Sequence, residues 1–198
     1  MIKAGEVKDI RWSNGNWLIF DIGFSNRKKS CALLFNDKKP DVYQYDEAVT
    51  KAQEIIQYFE NLNLVIEAPL SVAFDNHGNP KGRSVEKMGN RARYWYCGPG
   101  STVLLATTYF LRRIKNSSPT ANIKLFEGFV SYKDRGQTSD HLKDVTLLMK
   151  SIMSPNVLQY CKHPHELKLA DDDVLESAFK VAGMDFGIPP VIQGAKGK

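Results

Sequence analysis

The sequence predicts an α/β fold: a mixed five-stranded sheet, antiparallel along one side and parallel along the other, with helices on both faces. Three observations carry that expectation. Apolar runs of strand length come first and close together, helical periodicity then alternates with further short apolar runs, and turn residues separate the two kinds of segment. Length agrees with it, because 198 residues, 42% hydrophobic and 25% charged, suffice for one core, and residues 1–198 are expected to form a single domain.

Residues 17–23 (WLIFDIG) read as a buried strand rich in β-branched and aromatic side chains, with one carboxylate, Asp21, in its midst. Residues 26–29 read as a turn, 30–35 as a second strand, 36–40 as another turn and 42–45 as a third strand, which together make an antiparallel meander. Val49, Ala52, Ile55, Ile56 and Phe59 then recur at helical spacing behind Asp46 as an N-cap. Residues 64–66 form a short apolar strand that runs straight into Glu67. Residues 74–100, rich in Gly, Asn, Lys and Arg, have little periodicity and read as a loop or helical insertion.

Ser101 opens a second helix whose apolar face holds Val103, Leu104, Thr107, Phe110, Leu111 and Ile114. A fifth strand at 123–126 ends at Glu127. Ser139 opens a third helix with Leu142, Val145, Leu148, Met149 and Ile152 inward and Pro155 past its end. Residues 169–182 (LADDDVLESAFKVA) predict a final helix, apolar at Val174, Leu175, Ala178, Phe179 and Ala182 and acidic in its first turn. From about residue 187 the tail is expected to fray.

Composition narrows the function classes. Cys31, Cys97 and Cys161 are odd in number and widely spaced, which indicates neither a disulfide framework nor a cysteine zinc site. No apolar run approaches the roughly 18 residues of a membrane span, and residues 1–9 lack a signal peptide's apolar core, so a cytoplasmic protein without membrane contact is expected. Net charge is +5 and the isoelectric point near 9.0, which tolerates a polyanionic partner without demanding one.

A carboxylate inside a buried strand costs several kcal/mol unless it is neutralised, hydrogen-bonded or bound to metal. In this topology the first and fourth strands lie side by side, which brings Asp21 near Glu67. Asp171, Asp172, Asp173 and Glu176 form a third acidic cluster at the start of the expected last helix. Hard oxygen ligands converging from two strands and a helix suit Mg²⁺ or Mn²⁺, and two such ions about 4 Å apart can clamp both reacting oxygens of a phosphodiester. The bland alternatives are a structural acid at Asp21, a solvated strand end at Glu67 and a charged helix start at 171–173. Glu127 stands as an additional acid with either role. His163 or His165 is a surface histidine or a proton shuttle, and the tight spacing of a histidine metal motif is absent.

At these residues the sequence resembles the ribonuclease-H-like nuclease superfamily, including its Holliday-junction-resolvase branch and an uncharacterised family of predicted nucleases. The points of likeness are FDIG at 20–23, VIEAPL at 65–70, LFEGFVS at 125–131 and DDDVLESAF at 171–179, in the family's order over roughly residues 15–185. The resemblance implies a ribonuclease-H-like fold and two-metal hydrolysis of nucleic acid. It places the catalytic acids at Asp21, Glu67, Asp172 and Asp173. Metal binding falls on the same four and Glu176: the resolvase branch's acid-x-x-acid pair matches Asp173 and Glu176, and the other family's adjacent acids match Asp172 and Asp173.

Lys81, Arg83, Lys87, Arg91 and Arg93, interleaved with Tyr94, Trp95 and Tyr96, form the strip expected to hold nucleic acid, DNA or RNA, with Arg112, Arg113, Lys28 and Lys29 nearby. Inward-packed tyrosines with merely solvated arginines are the alternative. A homodimer is an open arrangement. Two competing classes remain: a non-catalytic nucleic-acid or protein binding module on the same fold, and an actin-like ATPase, whose first strand also reads Asp-x-Gly but which needs two related domains where this chain has one copy.

Overall fold

The computed structural model describes residues 1–24, 29–118, 120–130 and 140–195. In chain order the elements are β1 (Ile2–Ala4), β2 (Asn16–Asp21), β3 (Cys31–Phe35), β4 (Asp41–Tyr43), α1 (Tyr45–Tyr58), β5 (Asn61–Glu67), β6 (Ser71–Phe74), β7 (Pro80–Lys81), β8 (Lys87–Met88), β9 (Arg91–Ala92), α2 (Pro99–Ser117), β10 (Asn122–Phe129), α3 (His141–Met153), β11 (Cys161–Lys162), β12 (Val174–Ser177) and β13 (Val191–Gln193). The fold is mixed α/β, and no helix among the described residues is long and apolar enough to cross a membrane.

The main sheet has eight strands rather than five, in the order β11-β13-β10-β5-β2-β3-β4, with β1 also paired to β10. β2, β3 and β4 form the expected antiparallel meander, while β2, β5 and β10 run parallel. The extra strands lie where periodicity is too short to show. β1 pairs with β10 through Ile2↔Ile123 in what reads as a polar start. The tail does not fray at 191–193: Val191 and Ile192 are fully buried, and β13 is parallel to β10 and antiparallel to β11.

Alternation along the strands assigns the faces. Leu18 and Phe20 of β2 and Leu62, Leu64 and Ile66 of β5 pack against α1 and α2, with Ala52, Ile56, Phe110 and Ile114. Trp17 and Ile19 of β2 and Val65 of β5 pack on the other side, with Val145, Leu148 and Ile152 of α3. Period two therefore puts Asp21 and Glu67 on the α3 side.

Helix starts differ from expectation by one to three residues. α1 starts earlier because Gln44 caps it, its backbone amide bonded to Glu47 at 3.1 Å. α2 starts earlier, at Pro99, whose missing N–H costs nothing in a first turn. Asp140 caps α3, accepting from the Lys143 amide at 3.1 Å, and the expected opener Ser139 lies outside the described residues.

The final helix is absent. Residues 169–173 turn instead, with Asp173 accepting from the Leu169 and Ala170 amides at 2.9 and 2.8 Å, and residues 174–177 pair antiparallel with β6. Of the apolar positions that mimicked a helix, Ala178 and Phe179 are buried, but Val174 and Ala182 are exposed. The spacing arose from a strand followed by a turn.

Candidate metal centre

Asp21 and Glu67 are register partners at the C-terminal ends of the parallel strands β2 and β5. The helix that packs on their side of the sheet is α3, and its first turns bring His141 and Asp144. His141 Nδ1 lies 2.8 Å from Asp21 Oδ2. Ligand atoms of Asp21, His141 and Asp144 all fall within 4.8 Å of one another, in the one grouping of three or more metal-competent side chains among the described residues. Asp21 and Asp144 are 1% and 4% exposed, so two acids sit almost out of water beside a third.

Glu67 keeps some solvent exposure, yet burial, and then the charges of Asp21 and Asp144, push its carboxyl well above the ordinary range, against the opposing pull of Arg93 and a hydrogen bond from the Val130 amide. A cluster of like charges packed this closely is what a divalent cation relieves. The donor set, carboxylate oxygens with one imidazole nitrogen, could hold a divalent cation.

Backbone economy lets α3 approach. A Cβ on Gly23 would collide first with the Ser30 carbonyl oxygen and would stand 2.6 Å from the His141 ring, and one on Gly128 would stand 2.8 Å from Leu148 Cδ1 and 3.4 Å from Glu67 Cα. The glycine of FDIG therefore leaves room for both the Ser30 backbone and the histidine. Gly23→Ala is expected to weaken Mn²⁺ binding at least about tenfold, the range for disturbing a ligand's support. Isothermal calorimetry checks it, and unchanged affinity would detach Gly23 from the site.

The other expected acids go elsewhere. Asp173 is buried in an ion pair with Lys81 at 2.5 Å, and that bond holds its carboxyl below the usual range. Asp172 is exposed in the turn, and Glu176 pairs with Lys180 at 3.3 Å. None of the three joins Asp21 and Glu67, because the element carrying them is a turn and strand against β6. Glu127 is separated from Glu67 by parity: it is register partner of Ile66, so it points to the opposite side of the sheet. There its Oε2 accepts from the Leu70 amide at 2.8 Å and from Arg83 Nη1 at 2.7 Å.

The basic strip divides similarly. Arg83 is fully buried, held by Glu86, Glu127 and Ser71, and cannot meet a phosphate. Lys81 is occupied by Asp173. Lys87, Arg91 and Arg93 are exposed on and just after the β8–β9 hairpin, which pairs Lys87 with Ala92 and Met88 with Arg91. Trp95 is half-buried, its Nε1 bonded to the Lys81 carbonyl at 2.8 Å and its ring edge-on to Phe74, so it serves packing rather than a stacking platform. His163 and His165 stack on each other at the start of a short 3-10 helix, Pro164–Leu167. Lys28 lies outside the described residues, whereas Lys29 is exposed beside Glu47.

His141 and Asp144 are candidate ligands that are not among the residues expected from the sequence. The signal was present: residues 141, 144, 145, 148 and 152 share one helical face, so a histidine and an aspartate stand on the apolar stripe of α3.

Proton linkage offers a check on the cluster. Glu67 holds its proton more tightly in the folded chain than unfolded, so its contribution to apo stability is complete below about pH 4.3 and is lost as pH rises through the elevated folded value. In urea unfolding with EDTA, wild type should fall progressively below Glu67→Gln between pH 4 and pH 8. A constant difference would contradict the linkage.

No family model, curated protein or solved structure matches the chain.

Proposed function

We propose that the protein is a metal-dependent nuclease of the ribonuclease-H-like type, hydrolysing phosphodiester bonds of DNA or RNA with Mg²⁺ or Mn²⁺. The observation that carries the reading is the convergence of Asp21, His141 and Asp144 within 4.8 Å, beside Glu67 at the ends of two parallel strands. The strand order β4-β3-β2-β5-β10 supports it, because that order joins an antiparallel meander to two parallel strands, as the resemblance implies. Asp173 and Glu176 give up the place of the last-helix pair to His141 and Asp144, which have the same spacing of three.

Asp21, Glu67, His141 and Asp144 would hold the metal. A divalent ion, or two of them, would supply an activated water and a counter-charge for the phosphate. Asp21, 2.8 Å from Nδ1, holds the imidazole in orientation. Arg93, whose charge already acts on Glu67, offers a cation to a strand laid across the strand ends. Lys87 and Arg91 extend that surface along the hairpin. A cytoplasmic location agrees with the unpaired cysteines.

The test combines Mn²⁺-dependent melting with a cleavage assay on single-stranded, duplex and branched oligonucleotides. A raised melting temperature together with metal-dependent cleavage is expected, since a ligand bound only by the folded state stabilises it. Metal binding with no cleavage of any substrate would leave the non-catalytic binding module in its place. Neither response would remove both.

A further inference from the structure

A cavity of about 430 Å³ opens beside Glu67, at the C-terminal ends of β5 and β10 and against the first turn of α2. Its size lies within the roughly 300–1,000 Å³ of pockets that take a single small molecule. Glu67 is in its wall, so the cavity adjoins the metal centre. Tyr94, Val103 and Phe129 give it apolar sides, and Arg93 is part of the wall that includes Glu67. Glu127 also lines it. That carboxylate is 1% exposed, and its Oε1 has no hydrogen-bond partner among the described residues, although Oε2 has two. Buried acceptors are normally satisfied, and one left over beside a cavity is capacity for a donor brought by a ligand.

We propose that this cavity is a nucleobase pocket, which takes the base of one unstacked nucleotide adjacent to the cleaved phosphodiester, with Glu127 accepting from the base's amino group. The inference rests on the nuclease reading and names its substrate: a strand that is single or splayed at the cleavage position. Tyr94 and Phe129 cover the base, as aromatic walls do for flipped or unpaired bases, and Arg93 holds its phosphate near Glu67. Adenine, cytosine and guanine present an exocyclic amino group. Thymine and uracil present their one edge N–H between two carbonyl oxygens, which a carboxylate repels. A site that hydrogen-bonds a particular group rejects the analogue lacking it more strongly than an apolar slot can. The pocket therefore selects against thymine and uracil.

The experiment first maps the cleaved bond on a branched oligonucleotide with Mg²⁺, then changes the base flanking it. Replacing an amino-bearing base by thymine is expected to slow cleavage at least about tenfold, one hydrogen bond to a charged group, and an abasic site should slow it further. Val103→Trp, which fills the cavity, should show the same loss on the intact substrate while its Mn²⁺-induced rise in melting temperature matches wild type. Should that variant not fold, the abasic and thymine arms use the wild-type protein and decide alone. Cleavage indifferent to the base and to its absence would overturn the pocket and leave the nuclease reading standing. Inhibition by millimolar adenosine or cytidine monophosphate, with abasic strands cut normally, would assign the cavity to a free nucleotide and overturn the proposal. No cleavage and no Mn²⁺ response would remove the nuclease reading and the pocket with it.

Discussion

Asp21→Asn is expected to reduce Mg²⁺-dependent cleavage by roughly a thousandfold or more, the several kcal/mol that a held metal contributes to a phosphoryl transition state. The amide keeps the side chain's shape and can still accept from His141, so the 2.8 Å contact between α3 and β2 need not break. What disappears is one negative charge from a cluster that is attractive only to a cation. Two further readouts separate this account from simple damage. The Mn²⁺-induced rise in melting temperature should vanish in the variant. In EDTA the variant should melt no lower than wild type, because Glu67 and Asp144 lose a like-charged neighbour. Undiminished cleavage would take Asp21 out of the site, and a lower apo melting temperature would mean that the His141–Asp21 pair stabilises more than the repulsion costs.

Arg83→Met should destabilise the protein by about 3–5 kcal/mol, among the largest effects a single substitution produces, because it leaves two buried carboxylates without their cation. Glu86 and Glu127 are each 1% exposed, and the guanidinium reaches Glu86 Oε1 at 2.9 Å and Glu127 Oε2 at 2.7 Å. Burial pulls the Arg83 pKa down, yet the two acids hold it above the usual arginine value. Lysine should not restore stability, since a single ammonium cannot serve both acids and Ser71 from one planar fork. Urea unfolding at neutral pH measures both variants. A loss under about 1 kcal/mol would show that water or protonation relieves the carboxylates cheaply.

Much of the fold is legible in the sequence because its signals are local. The apolar runs at 17–23 and 64–66 and the helical spacing in α1, α2 and α3 each depend only on neighbours. The segment 169–182 misleads because Val174, Leu175, Ala178, Phe179 and Ala182 fall at helical spacing although only some of them meet the core. What decides that segment is pairing with β6, a contact across about a hundred residues, Leu175 to Ala73. Asp21 and Glu67 could be read because a carboxylate at a buried strand end is anomalous on its own terms. His141 and Asp144 could have been read from the helix wheel. Glu127 required counting along β10, where 123, 125 and 127 share a face with the α1 and α2 core. Which arginine of the insertion is buried was not legible, since Arg83 and Arg93 differ in tertiary partners rather than in sequence surroundings.

The pairing of β13 has a consequence for synthesis on the ribosome. Strand β10 is complete at Phe129, and β1 covers only its first half, at 123–125. The second half, 127–129, waits for residues 191–193, some sixty positions later. Until those emerge, a hydrophobic strand beside the candidate metal centre has exposed amides and carbonyls along one edge, the template that foreign strands recognise. A nascent chain halted after α3 already holds every ligand of the candidate centre, yet it should be protease-sensitive and prone to self-association, and release of the last strand should end both.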